Sequence, residues 1–442
     1  MNRLQEYLSS HEISEMHPSD IAKILKELED SDLNEAIKLV PKDLVGDVAL
    51  ALPDRYFDFV VESLSVDELS HAVTELESDD QLEFMQELEE VDESVASQVF
   101  DILNEVDKRE ITKLQTYEDE EAGAYMQLEV FTAEKNEIVQ DVIERFARLR
   151  HANKLENIQN LFITDNNAKL EYTIGLDDIL IFDFSKTLQE NIELSGDSFE
   201  PKKGVDIDDI KLIVHDFKEY DLSVMPIVNS YGILVGRITS DDIYDIINEQ
   251  ATEQMYNLAG VDDEAEENYE ILEAGKKRAT WLSLNLFTAI GASFVIGSFA
   301  ATIESVIALA ILMPIVASLG GNVGIQSLTV VVRQLALGEI PRKEAKRIVK
   351  KEVSIALING SIFAIIMGII AGLWFNMPML GVVIALSMVI NFFVAGFFGA
   401  VIPLFFRRME IDPAIGSAVI LTTLTDVVGF FSFLGLATYI LL

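Results

Sequence analysis

Four stretches in the last third of the chain are almost free of charged side chains: residues 279–303, 305–332, 353–406 and 413–442, the last interrupted only by Asp426. About 20 apolar residues suffice for a helix to cross roughly 30 Å of hydrocarbon. The third stretch is long enough for two crossings and is broken at Asn376-Met377-Pro378, where it must fold back. Five membrane-spanning helices are therefore predicted, and no charged face at helical spacing offers a soluble alternative. The start of the chain has a different texture. Asp32, Asp43, Asp54, Asp67 and Asp79 recur at near-regular intervals, each ahead of a short apolar pattern of helical period. These aspartates are expected to be N-caps of a stack of short helices, a small solenoid.

Beyond Tyr125 and Met126 the pattern changes again. Residues 130–183 and 205–247 each read as helix, strand, Asn-containing turn, strand and helix, with LFITDNNAKLEYTIGLDDIL in the first matching VMPIVNSYGILVGRITSDDIYDII in the second. An internal α/β repeat is expected. The chain is thus expected to be multidomain: an all-α acidic helical domain over 1–124, an α/β pair over 125–249, a connecting helix over 250–275 and a five-helix transmembrane domain over 276–442.

Charge divides the chain as sharply as hydropathy does. Of 33 Lys+Arg and 74 Asp+Glu, 12 and 7 lie from Gly275 onward, which leaves 21 and 67 in the first 274 residues, a net of −46. Such a surface repels nucleic acid and attracts cations. With no cysteine and five scattered histidines, disulfides, thiolate sites and zinc sites are not expected. The N-terminus has no apolar signal region, so the acidic part is expected in the cytoplasm. Basic residues agree: Lys276, Lys277 and Arg278 precede the first span, Arg342 to Lys351 follow the second, and Arg407 and Arg408 follow the fourth. All three clusters fall on one side, giving an integral protein of the cell membrane with its N-terminus inside and C-terminus outside.

Ionisable side chains at membrane depth face a bundle interior or a water-filled path. Glu304 and Arg333 lie near span ends, where snorkelling accounts for them. Asp426 lies well inside the last span, flanked by Thr422, Thr423, Thr425 and Gly429. The second span adds Pro314, Gly320, Gly321, Asn322, Gly324 and Gln326, expected to break the helix and line a cavity. One Asp is a sparse site for a divalent ion, but two-fold association would set two carboxylates opposite each other. Mg²⁺, which keeps most of its waters, suits so sparse a site. No nucleophile and base occur together within the spans, so an enzyme is not expected.

VMPIVNSYGILVGRITSDDI resembles a CBS domain, a module found in pairs that bind adenine nucleotides. The order of domains, with LGGNVGIQSLTVVVRQLALGEI and LTTLTDVVGFFSFLGLA in the membrane part, resembles the MgtE family of Mg²⁺ channels and transporters along essentially the whole chain. The resemblance implies a homodimer in the bilayer whose pore is lined by the second and fifth spans, with Asp426 as selectivity carboxylate and Pro314, Gly320, Gly321, Asn322, Thr425 and Gly429 along the path. It also implies that cytosolic Mg²⁺ bridges acidic faces through Asp221, Asp242, Asp245 and Glu253, and that ATP is a ligand of the CBS pair. Gln250, Gln254, Lys211 and Ala418 depart from the family pattern, and Asp262, Asp263 and Glu264 are further acids able to take part. The competing readings are a carrier of another divalent cation and a nucleotide-sensing membrane receptor.

Overall fold

The computed structural model describes residues 1–152, 155, 157–261, 271–336, 340, 344–409 and 411–442. It divides into two compact units, Met1–Asn248 and Glu249–Leu442.

The first unit begins with eight helices: α1 (Asn2–Ser10), α2 (Pro18–Lys26), α3 (Asp30–Ile37), α4 (Val45–Leu50), α5 (Phe57–Ser63), α6 (Val66–Glu75), α7 (Ser78–Ile102) and α8 (Glu105–Leu114). The residues that precede five successive helical turns, Glu29, Pro41, Pro53, Ser65 and Glu77, recur at twelve-residue steps. The repeat expected from the aspartates is therefore present, but the aspartates do not cap. They sit one to three residues inside each helix, where a negative charge is favoured by the helix dipole. Only Ser65 among the five makes a capping box, with Glu68. Leu25, Leu33, Leu69, Phe84 and Leu88 form the core between the helices.

Two small sheets follow. β1 (Thr132–Glu134), β2 (Asn160–Thr164) and β3 (Leu170–Gly175) make one, and β4 (Gly204–Val205), β5 (Val224–Val228) and β6 (Leu234–Thr239) make the other. In each the first pair is parallel, the second antiparallel, and a register irregularity falls near the end of the antiparallel pair. The repeats meet reciprocally at their turns, where Leu170 N–H donates to Gly232 O and Leu234 N–H donates to Ala168 O. Around the sheets lie α9 (Val139–His151), α10 (Leu176–Ile179), α11 (Leu188–Ser195) and α12 (Ile210–Tyr220). The second sheet shares its core with the N-terminal helices, since Met225, Ile227 and Ile238 belong to the same apolar cluster as Leu69 and Phe84. Arg237, 1% exposed, ties this junction by donating to Asn157 O (3.0 Å), with Glu77 Oε1 at 3.7 Å.

Next comes α13 (Ser240–Ala259), one continuous helix that passes the expected boundary at residue 249. The second unit holds α14 (Ile271–Ser298), a short α15 (Ala300–Ser305), α16 (Ala308–Ala336), α17 (Ala345–Trp374), α18 (Pro378–Arg408) and α19 (Ser417–Leu441). Five of these are long and apolar enough to cross a membrane: Arg278–Ser298 within α14, then α16, α17, α18 and α19. The fold-back falls at Asn376, in the left-handed region at φ 52°, and α18 starts with Pro378 at its first position. The expected break in the second span is absent. α16 runs unbroken through Pro314 and the Gly320-Gly321-Asn322 segment. Pro314 lacks only one donor, and the glycines serve close helix packing instead.

Candidate ion path and acidic cluster

In the membrane unit α18 is the central element, packed against α16, α17 and α19. Asp426, on α19, is half-buried. No Lys or Arg among the described residues pairs with it. The neighbouring hydroxyls bond back to their own helix: Thr422 Oγ1 to Ala418 O (2.9 Å), Thr423 Oγ1 to Val419 O (2.7 Å) and Thr425 Oγ1 to Thr422 O (3.0 Å). Their donors are spent, which leaves oxygen lone pairs as the free function.

The expected path residues of the second and last spans separate into two sets. Pro314, Asn322 and Gln326 are exposed, and a side chain at Gly321 would meet nothing within 4 Å. Gly320, Thr425 and Gly429 are instead buried within the bundle. Two of these glycines share one cause. A Cβ on Gly320 would collide with the Asn391 amide, and one on Gly429 would lie 2.8 Å from Asn391 Nδ2. Gly324 likewise makes room for Leu421 of α19. Sequence reasoning missed Asn391, although an amide inside an uncharged run is the polar signal that marks helix contacts in membranes.

A junction on one end of this unit links α13 to the start of α19. Asn257 Nδ2 donates to Asp412 Oδ2 (3.3 Å), while Asp412 Oδ1 accepts from Ala414 N–H (2.8 Å). Leu258 packs against the cluster of Leu328, Val332, Ile402, Ala414 and Leu421. Trp281 lies beside both Gly260 and Gly416, each at positive φ (69° and 65°), where a Cβ would strain the backbone. Glu253, on the same helix, is exposed and accepts from Asn257 Nδ2 (3.3 Å).

The first unit gathers acids at the start of α7. Asp79 and Asp80 open that helix, and Asp242 opens α13; the three act on one another electrostatically, with Glu77, Glu83 and Asp47 also near. Burial pushes the Asp80 carboxyl up to about 8, with Glu83 and Asp242 adding repulsion. Burial first, and then Asp242 and Asp80, raise Asp79 well above the usual carboxylate range, and its Oδ1 is enclosed without a hydrogen-bond partner. Asp242 is raised by burial to about 6, although it accepts from Thr239 N–H (3.1 Å) and Thr239 Oγ1 (2.6 Å). Asp245, one turn along, is raised by burial and by Asp241. Asp221 stands apart as the left-handed C-cap of α12 (φ 50°) and is not among the charges acting most strongly on this cluster. Among the described residues no three His, Asp or Glu side chains are arranged as a ready metal site. What exists is a crowd of carboxylates whose repulsion a divalent cation would relieve. Asp262, Asp263 and Glu264 lie outside the described residues. Asp79 and Asp80 were legible only as a helix start, because their partner Asp242 is more than 160 positions away in sequence.

Two family models match the chain: MgtE intracellular N domain over residues 16–120 and MgtE, divalent cation transporter, over residues 313–436. Among proteins it resembles is the magnesium transporter MgtE of Thermus thermophilus, 28% identical over 436 residues that cover 97% of this chain and 94% of that one. The magnesium transporter MgtE of Enterococcus faecalis is 31% identical over 331 residues, 74% of this chain and 71% of that one. Among solved structures, the cytosolic domain of the Mg²⁺ channel MgtE in complex with ATP covers 55% of this chain and 98% of its own length, at 25% identity and a TM-score of 0.49. With five apolar helices behind an acidic helical domain and a tandem α/β pair, and with a relative of this identity and coverage, the chain belongs to the MgtE family of divalent cation transporters.

Proposed function

We propose that the chain mediates Mg²⁺ uptake across the cell membrane as a homodimer, and that cytosolic Mg²⁺ bound by the acidic and CBS domains closes it. The observation that carries this reading is Asp426: a carboxylate half-buried in a spanning helix, with no cation partner among the described residues. An ionised Asp at that depth costs roughly 2.5–3.5 kcal/mol on insertion scales, a cost relieved when a second copy and a passing divalent ion meet it. The exposed Asn322 and Gln326 of α16 support the same face as the path, since polar groups directed at lipid are unfavourable.

In the mechanism, hydrated Mg²⁺ is drawn between two Asp426 carboxylates and exchanges part of its water for oxygens along α16 and α19. It then moves inward with the potential, worth about 2.3 kcal/mol per charge per 100 mV and so roughly twice that for a divalent ion. Orientation follows from the basic clusters, which set the N-terminus inside. At low Mg²⁺ the acids Asp79, Asp80, Asp242 and Asp245 cannot all ionise together, and at high Mg²⁺ the ion bridges their ionised forms as their protons leave. α13 carries Asp242 near its start and Asn257 near its end, so its position is felt at Asp412 and the start of α19. Asp221 and Glu253 keep the roles given them by resemblance, the domain limits at 124, 249 and 275 those read from the sequence pattern, and ATP is the proposed second ligand of the CBS pair.

The test is growth of a host that requires high external Mg²⁺. The chain is expected to restore growth at low Mg²⁺ and Asp426→Ala to abolish that rescue; equal rescue by both would remove Asp426 from the path.

A further inference from the structure

Asn391 of α18 is 0% exposed, and its Nδ2 donates to Val316 O of α16 at 2.9 Å. That carbonyl is also the helical acceptor for Gly320 N–H one turn on, so the amide is fastened to the segment that presents Gly321 and Asn322. The same amide also abuts Gly429 of α19, three residues beyond Asp426. Both neighbouring positions are glycine, and any larger residue would overlap the Asn391 side chain. Asn391 Oδ1 is enclosed without a donor. A buried polar atom in that state is costly, so an apolar residue of similar size would fit more cheaply if packing alone were required.

We infer that Asn391 is a positioning residue of the ion path: the thickness of its amide, clamped between Gly320 and Gly429, sets the separation of α16 from α19 and so places Asn322 relative to Asp426. This rests on the reading of Asp426 as the path's carboxylate. The amide touches no ion; it acts through the two helices it spaces. A hydrogen bond to Val316 O fixes its depth, and the two missing Cβ atoms fix its width.

The experiment is a double-mutant cycle on the full chain reconstituted in liposomes, with flux normalised to inserted protein and measured for both Mg²⁺ and Co²⁺. Gly429→Ala alone is expected to lower Mg²⁺ flux about tenfold, in the range of an overpacked core. Asn391→Ser alone is expected to lower it about threefold and to change the Mg²⁺ to Co²⁺ ratio and the half-saturating Mg²⁺. Combined, the serine makes room for the new methyl, and flux is expected to return to the Asn391→Ser level, a coupling that independent sites do not show. Additive losses, or equal proportional loss for both ions with unchanged half-saturation, would overturn the assignment and leave Asn391 as packing only. Asp426→Ala in the same assay keeps the two ideas apart: if it conducts as the unaltered chain does, the ion-path reading falls, whereas an additive cycle beside a dead Asp426→Ala defeats only the role of Asn391.

Discussion

The chain uses carboxylates in opposite ways on the two sides of Gly275. In the first 274 residues there are 67 acids, and most of the described ones lie exposed or half-buried at the surface. Beyond Gly275 there are 7; among the described ones Asp426 lies in mid-helix in α19, and Glu352, 5% exposed, lies two turns into α17 with Lys351 at 3.9 Å. In water a negative charge is cheap, and it takes burial, with the crowding of Asp79, Asp80 and Asp242 added, to move their protonation. In a membrane a single one is expensive enough to call for a purpose. The contrast teaches that the count of acids says little, while the cost of each says where function concentrates.

The largest effect on folding is expected at the junction of the N-terminal helices with the second sheet: Arg237→Ala should destabilise the first unit by roughly 3–5 kcal/mol, the usual consequence of removing one member of a buried ionic group. Thermal unfolding of the full chain, followed by protease susceptibility of residues before 249, measures it. A smaller effect of opposite sign is expected in the acidic cluster. In chelator, Asp80→Asn should raise the melting temperature of that unit, because it removes a carboxyl that burial, and then Glu83 and Asp242, make costly to ionise, and should weaken the gain that Mg²⁺ gives the unaltered chain.

The same cluster sets a pH dependence. The folded pKa values of Asp80 (about 8) and Asp242 (about 6) lie above the unfolded value of roughly 3.9, so the folded chain holds protons that the unfolded chain releases. The cost is absent below pH about 4, grows as the unfolded carboxylates ionise while the folded ones stay protonated, and levels off above about 6 for Asp242 and about 8 for Asp80, so in chelator stability should fall between pH about 4 and 8. Mg²⁺ should flatten the profile, and a melting series from pH 5 to 9 with and without the ion checks it. Asn257→Ala should shift the Mg²⁺ concentration for half closure by about tenfold, the worth of a hydrogen bond from an amide to a carboxylate, read from flux against internal Mg²⁺. The smallest effect is expected at the exposed Arg3–Glu27 pair, where Arg3→Ala should change stability by less than about 1 kcal/mol in the same thermal assay.

Much of this architecture was legible in the residues. The five spans and the fold-back at Asn376 follow from uncharged runs and a Pro, both local signals. The α/β repeat was legible for the same reason, since strand, turn and strand recur in matching order. Helix starts in the solenoid were misplaced by one to three residues, because an Asp is favourable both as a cap and in the first turn. The break expected in α16 did not form: glycine was read as backbone irregularity, when Gly320 and Gly324 answer to Asn391 and Leu421 on other helices. That information is long-range, as is the meeting of Asp79 with Asp242, and no pattern within either segment contains it.

The account stands most directly on Mg²⁺ entry into liposomes carrying the purified chain, compared with Asp426→Ala and with the pair Asp79→Asn and Asp80→Asn. It predicts flux in the unaltered chain, none above background with Asp426→Ala, and full flux that is less readily shut by Mg²⁺ with the paired asparagines. Undiminished flux with Asp426→Ala would contradict it.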